Sequence, residues 1–388
     1  MNISGTCVTR GSFLSALIAV TSVATCWAQD PKPREAIREL ELGHGVTRDT
    51  ARLLSESPRL AELESISFSS AAPGCLEILR SRLLRAERVK LHDVVASDER
   101  ETCTLLSYTA RSLSLTDVHA VPHAGDGCCG RLSSTLEELV VEGASAESVL
   151  ESLLWGGKSR LPVLSRVYLS ATDEPFRGEW VAELVRSSPA LRSLHLSGVE
   201  FVVEQLASLF SSVPVGLNSL VLDELEVTQE GRRGPAEIGE GLRALLARGV
   251  RPTTLHLSGV ALDEQGLAAL ITLDAVIKDL SIGDVGASEE GVADLISRMT
   301  LSSLEKLHTS GGGGTLRAAV LRARPRLTDI SVGAVDAAHL TDLLRACREG
   351  RLPRLRCVVG RLGEGVEAND LLLELRRAVP ELELHIVR

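Results

Sequence analysis

Aromatic side chains are scarce in this sequence: Phe, Trp and Tyr make up 3% of the 388 residues, whereas 44% of the residues are hydrophobic. The core must therefore be built from Leu, Val, Ile and Ala, which suits a narrow, repetitive interior better than one large irregular core. Asparagine is almost absent too, since only Asn2, Asn218 and Asn369 occur. A chain of this length would ordinarily divide into two or more globular domains.

Positive charge is also in deficit, and this weighs against nucleic acid as a partner. The formal net charge is −10 and the pI is near 5.5, whereas nucleic-acid-binding proteins carry a basic face. Long apolar runs are missing as well. The run from Phe13 to Ala24 is too short to cross a bilayer, so we predict no membrane span.

Motifs that hold metals or phosphates are missing. The eight cysteines include no C-x-x-C pair and have no histidine at ligand spacing, so we predict no metal site and no cofactor. Scattered thiols favour a reducing compartment. The four glycines within Thr309 to Val320 lack the G-K-[ST] of a P-loop. They suit either an anion cradle or a tight turn.

An enzymatic site near Cys128 and Cys129 is an alternative that the sequence supports weakly. His119 and His123 lie close by in the sequence and could serve a Cys-His pair. Nothing in the segment identifies an oxyanion site, and a reduced structural loop is the better explanation of the adjacent cysteines. We therefore predict that the protein is not an enzyme.

One pattern recurs along almost the whole chain. The stretch LHLSGV occurs as Leu194 to Val199 and again as Leu255 to Val260, each time ahead of a helix-like run. Both copies end a pattern of the type L-x-x-L-x-L, with Pro252 at the first position of the second copy. Copies follow one another at about 23 to 28 residues, with one interval of about 35 where GRRGPAEIG is inserted. They begin at Ile37, Leu63, Ala86, Ala110, Leu136, Leu164, Leu191, Leu217, Pro252, Ile277, Leu304, Leu327, Leu355 and Glu381.

Each copy predicts a short strand followed by a helix. Leu194 and Leu196 alternate with His195, a period of two that places the leucines on one face of a strand. Leu206 and Leu209 then recur at helical spacing. Neither layer buries its apolar face alone, so successive units must stack, with the strands in one parallel sheet and the helices outside.

These repeats resemble the leucine-rich repeat family, in its helix-containing, ribonuclease-inhibitor-like branch. The resemblance implies an α/β solenoid, a curved horseshoe with a parallel sheet on the concave side and helices on the convex side. It implies about fourteen degenerate repeats over residues 29–388. The chain departs from the family where a bend residue is usually Asn or Cys, because apolar residues stand there: Val94, Val118, Val199, Leu225, Val260, Val285 and Val335. The backbone groups of the bend must then be satisfied by one another, by water or by nearby Ser and Asp.

The same resemblance implies a protein-binding scaffold that recognises an unidentified protein partner through the concave sheet. A regulator of a partner enzyme, either an inhibitor or a GTPase activator, is the alternative. The outward strand positions suggest a partner-binding stripe, for which the candidates are Lys90, Tyr168, His195, His256 and His308. The three histidines fall two strands apart, at steps of roughly 10 Å, too far to share one metal ion. Exposed strand positions also accept histidine readily, which is the plainer explanation.

The two ends of the sequence leave questions open. Residues 1–28 read either as a signal peptide cleaved after Ala28 or as part of a first repeat. We keep both, and place export to the periplasm or the medium ahead of the cytoplasm. The last segment ends on an apolar strand, so we predict possible self-association through the C-terminal edge.

Overall fold

The computed structural model of the protein describes residues 38–387, apart from 61, 84–85, 97, 99, 103–109, 120–131, 144–145, 155–159, 172–175, 230–231, 274–275, 311–312, 323–325 and 364–367. The chain forms two compact units that divide after Leu191. The possible signal peptide, His123, Cys128 and Cys129 lie outside the described residues.

The first unit contains a parallel sheet whose strands follow chain order. These strands are β1 (Glu39–Val46), β2 (Ser65–Ala71), β3 (Arg88–His92), β4 (Ser112–Thr116), β5 (Glu138–Glu142) and β6 (Arg166–Ser170), followed by the short β7 (Phe176–Arg177). Its helices are α1 (Arg48–Glu56), α2 (Cys75–Leu83), α3 (Leu132–Thr135), α4 (Ala146–Leu154) and α5 (Glu179–Ser187), and a 3₁₀ turn covers Pro58–Leu60.

Alternating burial explains why these segments are strands. In β4, Leu113 and Leu115 are fully buried while the serines and the threonine between and beside them are half exposed. The second wall of the core comes from the helices, as in α5, where Val181 and Leu184 are also fully buried. Burying a leucine side chain contributes about 1.5–3 kcal/mol, so the stacked leucines supply the main stabilising force.

The second unit repeats this plan with eight parallel strands and three additional ones. Its strands are β8 (Ser193–Ser197), β9 (Val199–Val202), β10 (Ser219–Asp223), β11 (Glu226–Gln229), β12 (Arg232–Pro235), β13 (Thr254–Ser258), β14 (Asp279–Ile282), β15 (Lys306–Thr309), β16 (Asp329–Val335), β17 (Cys357–Leu362) and β18 (Glu383–Val387). Its helices are α6 (Val203–Ser212), α7 (Gly239–Ala247), α8 (Glu264–Leu273), α9 (Glu289–Arg298), α10 (Gly313–Arg322), α11 (Ala337–Arg348) and α12 (Asn369–Ala378).

The predicted fold class is confirmed, because in each unit the repeats form an α/β leucine-rich repeat solenoid. The fourth to sixth residues of each copy lie on a strand of the parallel sheet of its unit, and a helix follows most of these strands. Neighbouring parallel strands pair without offset over most of their length, for example Leu194 opposite Leu220 and Leu220 opposite Leu255. No helix in the described part of the chain is both long and apolar enough to cross a bilayer.

The inserted segment GRRGPAEIG adds a strand that the repeat pattern does not predict. Its residues Arg232–Pro235 form β12, which pairs antiparallel with β11, and β11 pairs parallel with β9. Arg233 reaches across this small sheet to Glu200, with 2.7 Å between Nη2 and Oε2. The insertion therefore extends the bend of its repeat into a hairpin.

The apolar bend positions are buried, as their composition predicts. Every residue that stands where the family usually has Asn or Cys is at most 2% exposed, namely Val94, Val118, Val199, Leu225, Val260, Val285 and Val335. They extend the leucine core into the bends. Hydrophobic packing thus replaces the polar side chains at this point of the repeat.

Backbone groups at the bends bond to one another across repeats. The amide after a strand donates to the last carbonyl of the next strand, as from Asp117 to Glu142 at 2.9 Å and from Glu224 to Ser258 at 2.9 Å. These donor residues have positive φ, 51° and 48° respectively. Gly198 and Gly259 occupy the same turn position with φ of 65° and 59°. In these repeats a left-handed residue therefore continues the backbone ladder without asparagine.

Candidate functional site

The outward side chains at the middle of the strands form one row in each unit. In the first unit the central row consists of Glu41, Ser67, Lys90, Ser114, Val140 and Tyr168, which are partners in strand register. In the second unit it consists of His195, Val221, His256, Ser281, His308, Ser331, Val359 and His385. The predicted alignment of outward positions is thus present in the sheets.

The predicted stripe residues all lie in these two rows. Lys90 is exposed, and Tyr168, His195, His256 and His308 are partly exposed. In the second unit Val221 separates His195 from His256, and Ser281 separates His256 from His308. The histidines are therefore two strands apart, as the repeat order indicates. Lys90 and Tyr168 belong to the first unit. Whether any of the five binds a partner stays a prediction.

His256 is held by a carboxylate on the adjacent strand. Its Nε2 lies 3.0 Å from Oδ1 of Asp279, and the two side chains are 34% and 25% exposed. Asp279 stands opposite Thr254 on one side and opposite Lys306 on the other. Because β13 and β14 fix both backbones, the imidazole is held in one orientation on the face of the sheet.

The charge of Asp279 is stabilised by its neighbours. Burial alone would raise the pKa of this carboxyl group. The hydrogen bond with His256 and the positive charges of His256, His308 and Lys306 outweigh burial, and they hold the pKa of Asp279 below its usual value. A carboxylate with basic side chains around it therefore lies beside the central row of the second unit.

Asp279 and Lys306 were missed by the sequence analysis. Each stands two residues before a central-row residue on its own strand, so the period of two puts it on the same face. Reading three outward positions per strand, rather than the middle one alone, would have found both. Their proximity to His256 also depends on the register between repeats, which a single repeat does not show.

The face of the first unit carries cross-strand ion pairs. Arg88 Nη2 lies 2.6 Å from Glu39 Oε1, and Arg166 Nε lies 3.1 Å from Glu138 Oε1. Glu138 also accepts a hydrogen bond from Ser112 at 2.8 Å. Acidic and basic side chains thus neutralise one another on this face.

Two other segments singled out by the sequence are only partly described. The glycine-rich segment follows β15, and α10 starts at Gly313, but residues 311–312 lie outside the described part. Thr315 in the first turn of α10 is fully buried. Cys128, Cys129 and His123 are not described, while His119 is exposed beside Val95 in a single parallel bridge. The anion and Cys-His hypotheses therefore stay untested.

Comparisons with known proteins find similarity in solved structures. No protein-family model and no curated protein matches this chain. A leucine-rich repeat protein of Leptospira interrogans aligns at 12% identity and a TM-score of 0.38, covering 94% of this chain and 97% of that one. An internalin of Listeria monocytogenes aligns at 13% identity and a TM-score of 0.38, covering 87% of this chain and 93% of that one. Both similarities are distant, so the fold rests on the repeat geometry of the chain itself.

Proposed function

We propose that the protein is a non-enzymatic scaffold that binds a protein partner through the strand face of its solenoid. The observation that supports this best lies on the strand face of the second unit, where His256 of the central row, Asp279 and Lys306 occupy neighbouring strands. Side chains on paired strands are held in place before any partner arrives. Little ordering entropy is therefore lost on binding, which favours affinity.

The side chains on this strand face suit contact with a protein surface. Imidazole, carboxylate, ammonium and hydroxyl groups lie on neighbouring strands, so they offer donors and acceptors over a broad area. Val221 and Val359 add apolar positions to the central row. Binding interfaces combine such apolar contacts with a limited number of directed polar ones. The assignment to the ribonuclease-inhibitor-like branch stays a prediction.

A capture experiment with matched variants tests the proposal. The wild-type protein, the variant His195→Ala/His256→Ala/His308→Ala and a helix-face control, Glu204→Ala/Arg243→Ala/Arg298→Ala, are used as baits on native extract. We expect a protein recovered by the wild type and the control, with at least tenfold weaker binding to the histidine variant. Equal recovery by all three baits would refute the role of the row. If the partner is an enzyme, a change in its turnover on binding would establish the regulator alternative.

We also propose that two copies associate through β18. Within the described residues this strand pairs on one side only, with β17, and Val387 is exposed. Unpaired strand edges are templates for pairing with another chain. Light scattering at high concentration should show a dimer that Val387→Lys weakens. A strictly monomeric mass for the wild type would exclude this association.

A further inference from the structure

Three metal-binding side chains meet on the last two strands of the second unit. Cys357 is directly opposite Glu383 in the register of β17 and β18. His385 lies two residues after Glu383, so both point from the same face of β18. The thiol sulfur, a carboxylate oxygen and an imidazole nitrogen all lie within 4.8 Å of one another.

The donor set indicates which class of ion fits. Thiolate and imidazole are the ligands that borderline divalent metals such as Zn²⁺ select, and a carboxylate completes many such sites. A tetrahedral zinc site with bonds of about 2.0–2.3 Å brings its ligand atoms to roughly 3.3–3.8 Å from one another. Small rotamer changes of two exposed side chains would close the present spacing to that value.

The surroundings of the three residues favour a cation. Asp329 stands opposite Cys357 on the other side, on β16, and adds a second carboxylate beside the thiol. Glu383 and His385 are 74% and 62% exposed, so an ion reaches them from solvent. Burial raises the pKa of the Cys357 thiol, and the charges of Asp329 and Glu383 raise it further.

We propose that Cys357, Glu383 and His385 form a binding site for Zn²⁺, with a water molecule at the fourth position. The ion binds the thiolate, so the thiol proton is released to solvent as the sulfur–metal bond forms. Three protein ligands and one open position are the pattern of an accessible site rather than a closed structural one. The site is independent of the proposed partner-binding role of His195, His256 and His308.

The position of these three residues in the fold explains why the spacing of residues in the sequence did not reveal the cluster. Cys357 and Glu383 are one repeat apart in sequence, and only the parallel register of β17 and β18 places them side by side. A search for C-x-x-C or for histidine near cysteine does not find such a site. Among the described residues, Cys357, Glu383 and His385 form the one group of at least three potential ligands that lie close enough together to hold an ion.

The test uses the full chain, kept reduced, with Co²⁺ as a spectroscopic substitute and Zn²⁺ in calorimetry. We expect one equivalent of Co²⁺ to produce a thiolate-to-cobalt absorption band that Zn²⁺ abolishes. Cys357→Ser should remove the band, and His385→Gln should weaken Zn²⁺ binding by about 10-fold or more. Cys347→Ser and Glu381→Gln, which change a thiol and a carboxylate elsewhere in the same unit, should bind as the wild type does.

The pH dependence provides a second measurement that a merely structural role would not produce. Because a thiol proton is displaced, the apparent Kd for Zn²⁺ should fall about 10-fold for each unit of rising pH near neutrality. Because the side chain of His385 is exposed, the variant His385→Gln should keep the wild-type melting curve. An unchanged melting curve would show that weaker binding comes from the loss of a ligand and not from the loss of the fold. A cobalt spectrum without the thiolate band, or one equally strong in Cys357→Ser, would overturn the proposal.

Discussion

The strand faces of the two units share one backbone plan but carry different side chains. The first unit pairs acidic with basic residues across strands, as in Arg88 with Glu39. In the second unit the central row has imidazoles at four positions, and one of them, His256, is hydrogen-bonded to Asp279 of the neighbouring strand. Most of the buried positions are leucine, valine, isoleucine or alanine in both units. The comparison teaches that the core sets the fold while the outward positions are free to acquire separate chemistry.

The largest effect is expected at the bend, where repeats of both units place a residue with positive φ. Asp117 in the first unit and Gly259 in the second both take positive φ. A Cβ on Gly259 would lie 2.8 Å from Cα of Glu224. We therefore expect Gly259→Ala to lower the free energy of unfolding by about 2–3 kcal/mol, measured by urea denaturation.

Gly249 serves as a control that separates the cost of positive φ from the cost of a steric clash with the added Cβ. Gly249 also has positive φ, but a Cβ added there would meet no atom within 4 Å. Gly249→Ala should therefore cost only about 1 kcal/mol. Equal losses for the two variants would show that the close approach of Gly259 to the preceding repeat is unimportant.

The next effect compares ion pairs of the two units. Glu200, which pairs with Arg233 in the second unit, is only 18% exposed and also accepts a hydrogen bond from Thr228. Removing Arg233 leaves this carboxylate partly buried without its cation, so Arg233→Ala should cost about 1–2 kcal/mol. Arg88→Ala removes an exposed pair and should cost about 0.5 kcal/mol or less. Thermal melts of both variants measure the difference, and the reverse order would contradict it.

The smallest effect is expected for the negative charge of Asp279, which lies beside the central row of the second unit. The folded-state pKa of Asp279 is lowered, so its stabilising contribution is present above the unfolded-state pKa and is lost as pH falls through the folded-state pKa. Asp279→Asn should therefore destabilise the protein by about 1 kcal/mol at pH 6. The deficit should shrink as the solution is acidified below pH 4, as urea denaturation across pH will show. If the deficit grew on acidification, the pKa of Asp279 would be raised in the folded state and not lowered.

Much of the fold followed from the sequence because each repeat carries its own signal. Alternating leucines predict a strand such as β10, and Leu206 with Leu209 predicts the helix that follows β8 and β9. The apolar bend was also readable, since Val199 and Val260 replace the polar residues of the family. Those signals are local, so they need no knowledge of how repeats pair.

The parts that the sequence did not reveal depend on contacts between repeats or on an insertion. The proximity of Asp279 to His256, and of Cys357 to Glu383, arises from strand register across one repeat. The left-handed turn at Asp117 serves a hydrogen bond to the next repeat, so its own neighbours in sequence do not indicate it. The β12 hairpin interrupts the period of the repeats.

Histidine labelling with diethyl pyrocarbonate, read by mass spectrometry, tests most directly whether the strand face of the second unit binds a protein partner. The captured partner is added, and modification of His195, His256 and His308 is compared with that of His339 on α11. If the strand face of the second unit binds the partner, labelling of the three central-row histidines falls at least fivefold while that of His339 is unchanged. Protection of His339 with undiminished labelling of the central row would contradict the account.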